Sequence, residues 1–187
     1  MYHIAIVSSS VRIGRQSHKV ALYFEKYINE HKLASCEILD LKEFNFPVLE
    51  ERLSYMPNPG EKEKLFSEKI KNADAVIVVF PEYNGGYPAS LKNAVDLLYD
   101  EWYHKPIGLA SVSAGGFAGV NALSLIQTIF LKIRAVPVFP PFPVPTVQNS
   151  FDDQGNAIAN KEATDKKAAA LLKEILWFAE AFGKMKK

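Results

Sequence analysis

With one cysteine, Cys36, among 187 residues, the sequence has no disulfide framework. A reducing compartment, the cytoplasm, is expected. It also lacks an excess of either charge. The 22 Lys and Arg against 21 Asp and Glu leave a net +1, so there is no broad basic field for nucleic acid. No apolar run approaches the roughly 18 residues of a spanning helix, so no membrane insertion is expected. The opening Met1-Tyr2-His3-Ile4 has no charged stretch before a long apolar one, and a signal peptide is not expected. His3, His18, His31 and His104 show no pairing, and H-E-x-x-H, C-x-x-C and G-x-S-x-G are all missing. Metal and hydrolase chemistry are left without candidate ligands or bases. His18 and His31 are expected on a solvated helix face. The Lys-Ser/Thr end of a Walker loop and G-x-G-x-x-G are missing as well.

What is present is an ordinary globular composition, 48% hydrophobic and 23% charged, at a length that favours one domain over residues 1–187. Five short apolar runs, Tyr2–Val7, Cys36–Leu41, Ala75–Phe80, Ile107–Val112 and Ala135–Phe139, carry little polar alternation. That pattern suits strands buried on both faces. Helical stripes lie between and after them: Val20, Phe24, Tyr27, Ile28; Leu91, Val95, Leu98; Leu123, Ile126, Phe130, Ile133; and Leu171, Ile175, Ala179, Phe182. The last helix is expected to end at Gly183 as a C-cap. A weaker helix is expected over Glu61–Asn72. Strict strand–helix alternation implies a doubly wound parallel α/β sheet covered on both faces. Residues 46–60 read as irregular. Pro137, Pro140, Pro141, Pro143 and Pro145 are expected to end the fifth strand and force an extended path. Tyr99, Trp102 and Tyr103 suit either an interface or the core.

In such sheets ligands bind beyond the carboxyl ends of the strands. Three loops there stand out. Residues 8–17 gather four serines, Arg12, Arg15 and Gly14 before a helix start, a combination suited to phosphate. Ser17 serves equally as an N-cap. Residues 81–88, Pro-Glu-Tyr-Asn-Gly-Gly-Tyr-Pro, offer Tyr83 and Tyr87 for stacking, Asn84 for a heterocycle edge, and glycines for close backbone approach. Residues 111–119 place Gly115, Gly116 and Gly119 before another helix.

These residues resemble the NADPH-dependent FMN reductase family, which includes quinone, azo-dye and chromate reductases, from Ile4 to about Pro140. Ser10, Arg12 and Ser17 match its phosphate loop, approximately G-S-x-R-x-x-S, with Ser9 in place of the usual glycine and a longer final spacing. Pro81 through Asp96 match P-E-Y-N-G-S/G-x-P-x-x-L-K-N-A-x-D nearly in full. Ser113, Gly115 and Gly119 match the third loop, with Ala118 where a glycine is common and Asn121 where a basic residue is frequent.

The resemblance implies a flavodoxin-like three-layer sandwich, a five-stranded parallel sheet of order 2-1-3-4-5. It also implies FMN, with its phosphate on Ser10, Arg12 and Ser17; from its place in the same loop, Arg15 is expected to compensate in part for Arg12. The ring would lie against Pro81, Glu82, Tyr83, Asn84 and Gly85, with Ser113 and Gly115 on its other side. Hydride would pass from NADPH or NADH to FMN, and on to a flavin, quinone, azo compound or metal oxyanion. No catalytic proton-transfer residue and no metal ligand is implied. A homodimer or homotetramer is expected. The rival reading is a flavodoxin-like electron carrier, and a net charge of +1 argues against such an acidic shuttle.

Overall fold

A computed structural model describes residues 1–185. Strands β1 (His3–Ser8), β2 (Ser35–Asp40), β3 (Ala75–Pro81), β4 (Pro106–Val112) and β5 (Val136–Pro137) form one parallel sheet of order β2-β1-β3-β4-β5. The helices are α1 (Ser17–Glu30), α2 (Leu41–Phe44), α3 (Glu61–Asn72), α4 (Ala89–Leu97), α5 (Val120–Lys132), α6 (Val147–Ser150) and α7 (Lys161–Met185).

The layers follow from strand periodicity. In β1 and β3, Ile4, Ile6, Ala75, Ile77 and Val79 pack with α1 and α7, while Ala5, Val7, Val76, Val78 and Phe80 pack with α3, α4 and α5. Every residue of β3 and β4 is buried, as the unbroken apolar runs require. Phe24 of α1 is fully buried, with its ring 4.8 Å from that of Phe142. Truncating it to Ala costs about 3–5 kcal/mol. Gly108 lets α7 approach the sheet: a Cβ there would lie 2.5 Å from Ile175 Cδ1.

Several expectations are corrected. The fifth strand covers only Val136–Pro137, not Ala135–Phe139. Prolines cannot donate to the ladder, but the residues between them do: the Val138, Phe142 and Val144 N–H groups donate to Ile107, Leu109 and Ser111 carbonyls at 2.8–2.9 Å. The proline tract thus runs along β4 as an interrupted strand. Helix α7 continues through Gly183 to Met185, so Gly183 is not a C-cap. Leu98 and Ile133 fall just beyond the ends of α4 and α5. Trp102 belongs to the core, with its Nε1 donating to the Val95 carbonyl at 3.2 Å, whereas Tyr99 and Tyr103 are half-buried.

Candidate functional site

Four segments converge at the carboxyl edge of the sheet: the β1–α1 loop, the β3–α4 loop, the β4–α5 loop and the stretch entering α6. They enclose a cleft of about 240 Å³ lined by Arg12, Ser17, Pro81, Tyr83, Ser113 and Val147 among others.

The first loop provides the anion-binding chemistry. Helix α1 begins at Ser17 with no side-chain cap and no acidic residue in its first turn. The Lys19 N–H donates to the Gln16 carbonyl at 3.1 Å, while Gln16 and Ser17 line the cleft and bring the partial positive charge of the helix start to it. Ser17 is buried, and its Oγ has no hydrogen-bond partner, an arrangement costly without a ligand acceptor or donor. The Arg12 guanidinium lies over the Tyr83 ring, 4.9 Å from its centroid, and Arg12 itself is exposed.

The two arginines, equivalent in sequence, differ in structure. Arg15 makes a two-pronged pair with Asp40 at the end of β2 and also donates to the Ser10 carbonyl at 2.7 Å. Its side chain is 12% exposed and that of Asp40 13%. Burial acts most strongly on the Asp40 carboxylate and pushes its pKa up, but the hydrogen bonds from Arg15 and the Lys42 N–H, together with the Arg15 charge, hold the carboxyl below its usual range. Arg15 also lines the cleft, but its guanidinium is already engaged with Asp40 and the Ser10 carbonyl.

His18 is also not on a solvated face. Its Nδ1 lies 3.0 Å from Ser8 Oγ and 3.7 Å from Asp40 Oδ2. Burial and the Arg15 charge push its pKa down, so the imidazole is held neutral. His31 is exposed but lies just past the end of α1, as its C-cap, and not on a helix face. Asp40 and His18 were missed by reasoning from motifs. The available signal was an acid at the carboxyl end of an apolar run, complementary to a loop with two arginines.

The second loop is a tight turn in which Tyr83 and Gly86 exchange backbone hydrogen bonds at 2.7 and 3.0 Å. The turn requires φ +51° at Asn84 and +79° at Gly85. Gly85 adopts the latter without a Cβ penalty. Both residues are exposed and outside the cleft lining. Tyr83 OH lies 2.6 Å from Ser10 Oγ, which joins the first two loops. Ser10 is fully buried beneath the cleft.

Glu82 lines the cleft, but its carboxylate accepts from the Asn121 and Ala122 N–H groups at 3.0 and 3.2 Å and from Asn121 Nδ2 at 3.2 Å. It therefore caps α5 from a neighbouring loop. The third loop is more open: Ser113 Oγ donates to the Gly115 carbonyl at 2.7 Å, and Gly115 is exposed. The segment after the proline tract braces it, with Thr146 and Val147 N–H groups donating to Gly115 and Ser113 carbonyls at 3.1 Å. The structure therefore brings Arg12, Ser17, Pro81, Glu82, Tyr83 and Ser113 to one cleft. Ser10 lies under it, and Asn84, Gly85 and Gly115 lie outside its lining. Among the described residues no cluster of His, Cys, Asp and Glu could hold a metal ion, and no helix is long and apolar enough to cross a membrane.

Comparison with known proteins bears on this edge directly. An NAD(P)H-dependent FMN reductase of Schizosaccharomyces pombe is 35% identical over 150 residues, 76% of this chain and 73% of that protein. A quinone reductase of Pseudomonas putida is 32% identical, covering 83% of this chain and 84% of its own. The flavoenzyme NAD(P)H:(acceptor) oxidoreductase of Paracoccus denitrificans superposes with a TM-score of 0.80 over 96% of this chain and 98% of its own, at 19% identity, and so shares the fold. The sequence pattern of the NADPH-dependent FMN reductase family matches residues 2–148, which hold all three loops. The chain belongs to the NADPH-dependent FMN reductase family.

Proposed function

We propose that Arg12, Ser17 and the N-terminus of α1 bind the phosphate of FMN in an NAD(P)H-dependent flavin oxidoreductase that reduces small-molecule acceptors. The observation that carries this reading is the buried, unpartnered Ser17 hydroxyl at an uncapped helix N-terminus, in the cleft that Arg12 also lines. The residues present fit the group. A dianionic phosphate accepts from N–H, hydroxyl and guanidinium donors together.

Bound FMN supplies the hydride-accepting and hydride-donating chemistry. The protein supplies binding and orientation. Tyr83 forms a wall of the cleft, with its hydroxyl fixed by Ser10. The cleft is smaller than the roughly 300–1,000 Å³ that usually encloses a whole ligand. A group of FMN's size would need contacts beyond it, which Asn84 and Gly85 in the exposed turn would supply. Ser113 and Gly115 would meet it from the opposite loop. Pro81 and Glu82 shape the floor, Glu82 by holding the start of α5 in place. No side chain is assigned a proton transfer.

The acceptors are proposed to be flavins, quinones, azo compounds or metal oxyanions. Relatives named quinone reductase and FMN-dependent NADPH-azoreductase support the quinone and azo classes. A cytoplasmic homodimer or homotetramer is proposed from the family resemblance. A pure electron-carrier role is not favoured. Acid release of the cofactor followed by chromatography, with NAD(P)H oxidation measured against a quinone, tests the reading. Stoichiometric FMN and acceptor-dependent oxidation are expected. FAD alone, or no flavin uptake at saturating FMN, overturns it.

A further inference from the structure

We infer that Asp40 and Arg15 are positioning residues for the phosphate loop: Arg15 does not bind the anion itself but, held by Asp40, fixes the backbone that does. The inference rests on the FMN reading above.

A carboxylate beside an anion-binding cleft is unfavourable by Coulomb's law unless another charge neutralises it. Here the neutralising charge is Arg15, which shares both its terminal nitrogens with Asp40. The guanidinium also donates to the Ser10 carbonyl at 2.7 Å. That bond directs an acceptor of the loop toward a cation. Asp40 is anchored in turn, since its Oδ1 accepts from the Lys42 N–H at 3.0 Å as the cap of α2. The pair thus connects the carboxyl end of β2 to the loop after β1 across two adjacent strands, where both residues are largely buried. His18, on the first turn of α1, packs against the same carboxylate at 3.7 Å and is kept neutral. A neutral imidazole leaves the Asp40 charge to Arg15.

The sign of one substitution separates positioning from simple electrostatics. In Asp40→Asn a negative charge near the cleft disappears and Arg15 is released. Electrostatics alone then predicts tighter FMN binding, while positioning predicts weaker binding. Asparagine caps helices as well as aspartate does, so α2 keeps its cap. Arg15→Lys is the companion variant: it retains the charge and loses the planar fork.

The experiment is a fluorescence titration of apoprotein with FMN and, separately, riboflavin, together with thermal unfolding of each apo variant. Both variants are expected to bind FMN on the order of tenfold more weakly, about one charged hydrogen bond's worth. Riboflavin affinity should change much less. That altered ratio is a readout that general loss of stability does not move. If Asp40→Asn does not fold, Asp40→Ser, which also removes the charge and keeps a capping side chain, takes its place. Unchanged or tighter FMN binding in a folded variant overturns the inference, as does an equal loss for both ligands. Failure of the wild type to bind FMN would instead overturn the reading on which the inference rests.

Discussion

The first two strands carry a histidine, a carboxylate and a cation near each end, and the cluster at the carboxyl end adjoins the candidate cleft. Toward the amino end, His3 Nε2 lies 3.1 Å from Glu37, which also pairs with Lys69 of α3. At the carboxyl end, His18 and Arg15 surround Asp40. The side chains of the first cluster are about 30% exposed (30% for His3, 31% for Glu37 and Lys69), and they join a strand pair to a helix. The Arg15–Asp40 pair is less than half as exposed and braces a loop that opens onto a helix N-terminus. The same three chemical types give a surface staple in one place and a support for ligand binding in the other. What differs is the direction of the parallel sheet, which puts the loops and helix starts at the carboxyl edge.

Substitutions at the two ends should therefore separate affinity from stability. The largest effect is expected at Arg12. Arg12→Ala removes a charge-assisted contact worth about 1.5–3 kcal/mol, so FMN affinity should fall roughly tenfold to a hundredfold. Riboflavin, which lacks the phosphate, should bind nearly as before. Equal loss for both ligands would remove Arg12 from the phosphate site.

Gly85→Val ranks next. At φ +79° a β-branched residue costs about 1–3 kcal/mol in strain, yet a Cβ there meets no atom within 4 Å. The fold should survive and FMN affinity should fall, measured by circular dichroism and flavin titration on the same sample. Unchanged affinity would place the ring away from this turn.

A smaller effect is expected in the pH dependence of stability. Burial and Arg15 lower the His18 pKa from 6.5, so the unfolded chain takes up a proton more readily than the folded one as pH falls. Stability from this group is complete above pH 6.5 and declines as the pH drops toward the depressed value. His18→Gln should flatten that part of the curve in urea denaturation series at stepped pH. A slope identical to wild type would contradict the neutral, half-buried imidazole.

The smallest effect belongs to the amino end. The Glu37 carboxyl is partly desolvated, but hydrogen bonds from Lys69 and His3 keep its pKa below the usual range. Glu37→Gln should cost at most about 1 kcal/mol of stability, as partly exposed pairs do. FMN affinity should not change. A flavin-binding defect in this variant would erase the distinction between the two ends.

Much of this architecture was legible in the sequence. The buried parallel strands appear as unbroken apolar runs, and the sheet order follows from the family resemblance that the Pro81–Asp96 motif carries. The positive φ at Gly85 could be anticipated from Asn-Gly-Gly. What the sequence concealed were pairings between distant segments. Asp40 and Arg15 are 25 positions apart, and nothing local distinguishes Arg15 from Arg12. His18 looked solvated because helical periodicity gives a face but not what packs on it. Glu82 looked like a ligand contact because its role as a cap for α5 depends on a helix 39 residues away. The prolines that interrupt β5 hid the backbone donors between them, which still bond to β4.

The most direct measurement is a parallel titration of wild-type apoprotein, Arg12→Ala and Glu37→Gln with FMN and riboflavin at one pH and ionic strength. The account predicts that wild type and Glu37→Gln bind FMN at least about tenfold more tightly than riboflavin, and that Arg12→Ala closes most of that gap. Equal affinity of the wild type for the two ligands, or a gap that persists in Arg12→Ala, would contradict the assignment of phosphate to this end of the sheet.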